Sequence, residues 1–212
     1  MARVLLATRN PAKLAELRRV LAELSVPQVE VEGLAAVEPY PEPVEPGATF
    51  TANALLKARA GAGVSGLLTV ADDSGLCADA LGGLPGVLSA RWSGVGGAGR
   101  DAANVSLLLA QLADTDRRDA AFVCAAALVA PDGAEHAVLG TMRGRLARES
   151  RGEGGFGYDP IFVPEGCRLT SAEMTPADKD AISHRGRALR ALAPVLAGWA
   201  ASVSVATSSG SA

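Results

Sequence analysis

The stretch Thr69-Val-Ala-Asp-Asp-Ser-Gly-Leu76, preceded by Leu67 and Leu68, decides how the rest of the chain is read. Its first half is an apolar run of the kind that forms a buried strand. Its second half sets two carboxylates, a hydroxyl and a glycine where that strand is expected to end, at Asp72. A turn closed by Gly75 needs one Asp or Asn, so the second acid requires another explanation. Side chains alternate faces along a strand, and Asp72 and Asp73 point apart unless the chain has already turned. One acid is therefore expected to face a cleft while the other braces the turn or shares a cation. Hard carboxylate oxygens at such a corner suit Mg2+, which takes one or two carboxylates and leaves its other positions to water and phosphate.

Upstream, Val4 to Ala7 reads as a buried strand, followed by Leu14, Leu17, Leu21 and Leu24 at helical spacing. Asn10 is a good N-cap and Pro11 a good first helical residue. Gln28 to Val31 reads as a second strand. The proline-rich run Glu38-Pro-Tyr-Pro-Glu-Pro-Val-Glu-Pro46 predicts a loop. A helix over 48–62 leads into the strand that carries the acid pair. Downstream, Val105, Leu108, Leu109 and Leu112 mark another helix. Residues 120–130 and 134–146 predict two strands joined by Pro131-Asp-Gly133, a hairpin signal. A short strand over 161–163 and a closing helix over 186–201 complete the pattern. Early alternation of strands and helices with a late hairpin predicts an α/β fold built on a mixed sheet.

The chain has 212 residues, 49% hydrophobic and 20% charged, which is the balance of a folded globular protein. Residues 1–202 are expected to form a single domain, and the Ser/Thr/Ala-rich 203–212 an irregular tail. Aromatics make up 4% and alanine is abundant, so the core is expected to use small side chains. A net charge of −3 argues against a broad nucleic-acid surface; a bound polyanion should be small and held in a local basic pocket. Cys77, Cys124 and Cys167 form no CxxC pair and fit neither a disulfide framework nor a zinc site. With no signal-peptide-like start and no membrane-length apolar run, the expected setting is cytoplasmic.

Three further stretches carry more polar chemistry than their positions need. Thr8-Arg-Asn-Pro-Ala-Lys13 occupies a strand–loop–helix junction, whose free N–H groups and dipole favour an anion. Lys13 in the first helical turn is disfavoured by that dipole unless an anion lies beside it. Asn53 and Lys57 share a helix face one turn apart, and Glu45 ends the proline loop just before that helix. Finally, Gly154-Gly-Phe-Gly-Tyr-Asp-Pro160 leaves Phe156 free to stack on a flat ligand, and Ser183, His184 and Arg185 supply donors and acceptors before the last helix. Taken singly, each of these has an ordinary reading as a surface lysine, a solvated face or a capped helix.

Together they resemble the inosine triphosphate pyrophosphatases, also called XTP/dITP diphosphatases. The resemblance is carried, in order, by LATRNPAK at 6–13, GATFTANALLKA at 47–58, ADDSGL at 71–76, LGGLPGVLSARWSG at 81–94, GGFGYDPIF at 154–162 and SHRGRAL at 183–189. It implies an elongated mixed sheet flanked by helices, in two lobes with a central substrate cleft. It also implies hydrolysis of ITP, dITP and XTP between the α and β phosphates, with Mg2+ as cofactor. By the same resemblance Asp73 activates the attacking water, with Asp72, Asp73 and Glu45 at the metal. Thr8, Arg9, Asn10, Pro11, Ala12, Lys13, Lys57, Ser74 and Lys179 hold phosphates and sugar, and Phe156, Gly157, Tyr158, Asp159, His184 and Arg185 hold the base. A homodimer is implied, with the helix near 105–112 or the 81–94 loop as contact. Two alternatives stay open: a pyrophosphatase for other modified nucleotides, of the septum-associated type, and a nucleotide-binding sensor that does not hydrolyse.

Overall fold

Parallel pairing starts at the N-terminus. β1 (Ala2–Leu6) lies in register with β2 (Val29–Gly33), Val4 opposite Val31, and on its other edge with β3 (Leu68–Ala78), Val4 opposite Leu68. The connections are α1 (Pro11–Glu23) and α2 (Phe50–Ser65), the helices that parallel neighbours require. The computed structural model describes residues 2–23, 29–41, 43–45 and 47–209. Its six-stranded sheet has the order β2-β1-β3-β4-β5-β6, with β4 (Asp119–Val129), β5 (Glu135–Leu146) and β6 (Phe162–Pro164). Since β5 and β6 pair antiparallel, the sheet is mixed, as the chain's pattern predicts. α3 (Arg100–Gln111), α4 (Pro176–Ile182) and α5 (His184–Ser209) complete the α/β fold.

The chain divides into two compact units. One comprises Met1–Asp73, Ala125–Gly140 and Arg185–Ala212; the other comprises Ser74–Cys124 and Thr141–His184. In the first, α2 presents Ala54, Ala58 and Ala62 in a row set by the four-residue repeat, against Ala7, Ala71, Ala125, Ala127 and Val129. Small side chains let this helix lie close to the strands. At Gly61 the approach is so near that an added Cβ would stand 2.8 Å from Thr69 Cγ2. The expectation of a small-residue core therefore holds for this cluster. The second unit packs differently, on Leu76, Leu108, Leu112, Met142 and Ile161, with the Phe122 and Phe162 rings 4.6 Å apart.

Three sequence expectations are corrected. β3 does not end at Asp72 but continues through Asp73, Ser74 and Gly75 to Ala78, because Leu76 and Ala78 are buried in their turn and keep the strand paired to the core. The closing helix, expected over 186–201, begins at His184 and runs to Ser209. Extending an existing helix costs little next to nucleating one, so weakly helical residues follow. α4 is not anticipated, although Thr175 caps it, its hydroxyl accepting from the Asp178 N–H, and Pro176 opens it. Gln28 of the predicted second strand, Glu42 and Pro46 of the proline loop, and the last three residues lie outside the described residues.

Candidate active site

The unbroken course of β3 explains the doubled acid. Neighbouring residues on a strand send their side chains to opposite faces, and Asp72 and Asp73 accordingly have separate sets of partners. Asp72 is 4% exposed, and its Oδ2 meets Lys13 Nζ at 2.7 Å and Arg185 Nε at 3.1 Å. Arg185, itself buried, donates through Nη1 to Glu16 Oε2 at 2.7 Å, and Glu16 is buried as well. Burial opposes the ionisation of Asp72, but Lys13 and Arg185 outweigh it and hold the carboxyl well below the usual carboxylate range. The anion that offsets the helix dipole's penalty on Lys13 is thus a carboxylate of the protein itself.

Asp73 lies half-buried in different company. Asn53 Nδ2 donates to its Oδ2 at 3.0 Å, and Lys57 Nζ stands 3.4 Å from its Oδ1. Asn53 is completely buried, and its Oδ1 accepts the Gly47 N–H at 2.9 Å, which fixes which end of the amide faces Asp73. The shared face of Asn53 and Lys57 on α2 therefore serves one carboxylate. Lys57 also reaches Glu45 Oε1 at 2.9 Å, so the loop acid does turn inward. Burial pushes the Asp73 carboxyl up and Glu45 adds to the push, while Lys57 and Asn53 pull against it. Burial works against the Lys57 ammonium too, yet Asp73, Asp72 and Glu45 outweigh it and raise its affinity for the proton.

Hard oxygens of Asp73 and Glu45 around one cationic centre are a donor set that fits Mg2+, which needs one or two carboxylates. Among the described residues no three acidic, histidine or cysteine side chains gather as a metal-holding group. The expected set is Asp72, Asp73 and Glu45, and of these Asp72 also pairs with Lys13 and Arg185. Thr8 Oγ1 accepts the Asn10 N–H at 3.2 Å, shaping the turn into Pro11, and Arg9 Nη2 donates to the Tyr40 carbonyl at 3.2 Å.

The second unit carries the aromatic group. Phe156 is 45% exposed, and Lys179 Nζ lies 5.2 Å from its ring centre while pairing with Asp159 Oδ2 at 2.5 Å. Asp159 Oδ2 also accepts the Phe156 N–H at 2.8 Å, and Asp101 Oδ2 on α3 accepts the Gly157 N–H at 2.8 Å. The loop is held from both sides. Gly155 has φ +73°, and a Cβ there would lie 2.1 Å from Asp159 Oδ2, so the position demands glycine. Tyr158 is a core residue, its hydroxyl donating to the Ser89 carbonyl at 2.9 Å, which leaves the backbone as what position 158 can offer a ligand. His184 stacks on Phe122 with ring centres 4.9 Å apart, and Ser74 lies half-buried on β3.

Glu16 and Asp101 are absent from the sequence reading. Glu16 pairs across 169 residues and has no local signature; Asp101 is one acid in a helix's first turn, a common placement.

On structural grounds this is an α/β protein whose central strand presents an acid pair to lysines and an asparagine, with a second unit that exposes a braced aromatic ring. The model of the Ham1 family matches residues 4–195, and the chain belongs to that family. The dITP/XTP pyrophosphatase of Nocardia farcinica is 60% identical over 94% of this chain and 97% of its own length. Among solved structures, the nucleoside-triphosphatase/dITP/XTP pyrophosphatase of Mycobacterium abscessus shares 58% identity at a TM-score of 0.75, covering 92% of this chain and 99% of that one. A HAM1 protein from Coxiella burnetii superposes with a TM-score of 0.82 at 40% identity, covering 92% of this chain and 98% of that one.

Removing one partner of a buried ion pair leaves an uncompensated charge. Arg185→Ala, which takes the guanidinium away from both Asp72 and Glu16, is therefore expected to lower stability by about 3–5 kcal/mol in urea unfolding. An unchanged midpoint would contradict the buried network. Acid gives a second check. Because the folded Asp72 holds its proton more weakly than its ordinary value of 3.8, its contribution is complete above that pH and is lost as the pH falls below it. Asp72→Asn is less stable at neutrality and has a shallower loss of stability below that point than the parent.

Proposed function

We propose that this protein hydrolyses the deaminated purine nucleoside triphosphates dITP, XTP and ITP to the monophosphate and pyrophosphate, clearing them from the nucleotide pool before they enter DNA or RNA. The names of its relatives support that substrate class. The observation that carries the chemistry is Asp73, a half-buried carboxylate oriented by Asn53 and Lys57 and pushed up in proton affinity beside a lysine that stays charged.

In this reading Asp73 orients a water and takes its proton as the oxygen attacks the α-phosphorus. The bond from that phosphorus to the bridging oxygen breaks, and the electron pair leaves with pyrophosphate. Lys57 and Lys13, with the junction Thr8, Arg9, Asn10, Pro11 and Ala12, balance the negative charge of the phosphates. Ser74 and Lys179 serve the phosphates and sugar. Asp73, Asp72 and Glu45 would hold Mg2+, which would supply Lewis-acid polarisation of the phosphoryl oxygens and of water. The family likeness further supports a homodimer acting on free nucleotides in the cytoplasm; among the described residues no helix is long and apolar enough to cross a membrane.

Base choice rests on donors. Hypoxanthine and xanthine present a 6-oxo acceptor where adenine presents an amino donor. Phe156 offers its ring for stacking, the Gly157 to Asp159 loop its backbone, and His184 and Arg185 the donors that a 6-oxo group accepts. Arg185 also holds carboxylates, Asp72 through Nε and Glu16 through Nη1. An amino group facing those donors leaves them unpaired, at about 1–3 kcal/mol for each buried polar group.

The test is pyrophosphate release from dITP, XTP, ITP and the common triphosphates. Turnover should favour the deaminated purines and stop on chelation, returning with Mg2+. Asp73→Asn should lower kcat by about 100-fold or more, the range of general-base catalysis, with its melting temperature unchanged or raised. Undiminished turnover by that variant, or by the chelated protein, would refute the reading.

A further inference from the structure

A cavity of about 450 Å3 in the second unit is lined by Arg118, Arg145, Arg148 and Arg151, with Asp116 and Asp119. Four guanidinium groups face two carboxylates there, in a chain whose net charge is −3. None of these residues has a part in the proposed reaction. Arg118, just before β4, has only neutral hydrogen-bond acceptors among the described residues: Nη2 donates to the Leu112 carbonyl at 3.0 Å and Nη1 to the Ala147 carbonyl at 3.5 Å. Its Nε is buried with no acceptor among the described residues. Burial and the neighbouring Arg148 both work against its charge, and Asp116 only partly relieves it.

The other arginines are little better compensated. Arg145 projects from β5, exposed, and makes no side-chain hydrogen bond or ion pair among the described residues. Arg148 pairs with the highly exposed Asp116, where solvent screens the attraction. Arg151 meets Glu173 at 4.0 Å, the outer limit of an ion pair. Like charges gathered in one cavity repel unless a counter-charge enters. Each planar fork presents paired N–H donors matched to oxyanions. A carboxylate has two oxygens and satisfies one fork; several forks around a cavity call for a group with more acceptor oxygens.

We propose that this arginine-lined cavity is a second anion site, which takes a small, multiply charged phosphate oxyanion, orthophosphate or pyrophosphate. Its contacts would be Arg145, Arg148 and Arg151 at the mouth, with Arg118 supplying charge from behind.

Calorimetric titration of the full chain with orthophosphate and with pyrophosphate, in separate runs, tests this. The wild-type protein should show a class of sites that weakens as salt is added. Arg145→Ala/Arg148→Ala should weaken that class by about tenfold or more, keep its melting temperature, and retain whatever pyrophosphate binding belongs to Asp73 and its lysines. Arg145→Lys/Arg148→Lys, which keeps the charges and loses the forks, should fall between. The anion that binds more tightly identifies the occupant. Equal affinity and stoichiometry in the wild type and the alanine variant, or no wild-type site outside the Asp73 cluster, overturns the proposal. Since the readout is binding without turnover, its failure leaves the proposed reaction untouched, and loss of activity in Asp73→Asn leaves the second site untouched.

Discussion

The ionised carboxylate of Asp72, sealed in the first unit between Lys13 and Arg185, is the constraint on which the rest depends. A lone buried carboxylate would protonate rather than stay charged. Two cations keep it ionised, and each cation is tied to a different element: Lys13 to the first turn of α1, Arg185 to the start of α5. The pairing thus links β3, α1 and α5 through charge, and Glu16 extends it by holding the far side of the Arg185 fork. Such a network offers little net stability over an apolar replacement. What it fixes is position.

Position matters because the next residue along is Asp73. With Asp72 anchored on one face of β3, the strand must turn Asp73 to the other, where Asn53, Lys57 and Glu45 await it. The two acids divide the work by environment. One is surrounded by cations that it neutralises; the other is half-buried, shares its lysine with a second acid, and keeps a higher proton affinity. Identical side chains one residue apart therefore serve as anchor and as candidate base. The second unit repeats the economy, with Asp159 holding both Lys179 and the Phe156 backbone while the ring stays exposed.

Much of this is legible in the sequence. Apolar periodicity locates the sheet strands and the longer helices, Asn10 and Pro11 mark the start of α1, and Pro131-Asp-Gly133 marks the β4–β5 turn. What misleads is local chemistry read without its partners. Two acids, a serine and a glycine look like a turn, but the strand runs on through them because Leu76 and Ala78 beyond are buried in the core. α4 is short, and its Thr-Pro start is overshadowed by the charged residues within it. Arg185 reads as a donor before the last helix, and its carboxylates go unnoticed because they lie 113 and 169 residues away, distances over which no local pattern signals a contact. Tyr158 is a base contact by the family resemblance, and its ring packs in the core of the second unit.

Carbon-13 NMR titration of the aspartate carboxyl groups in the metal-free protein observes the division of labour between the adjacent acids. The account predicts that Asp72 remains ionised at every pH at which the fold survives, with no titration near 3.8, whereas Asp73 takes up its proton above that value. The reverse order, or a common midpoint for the two, would contradict it.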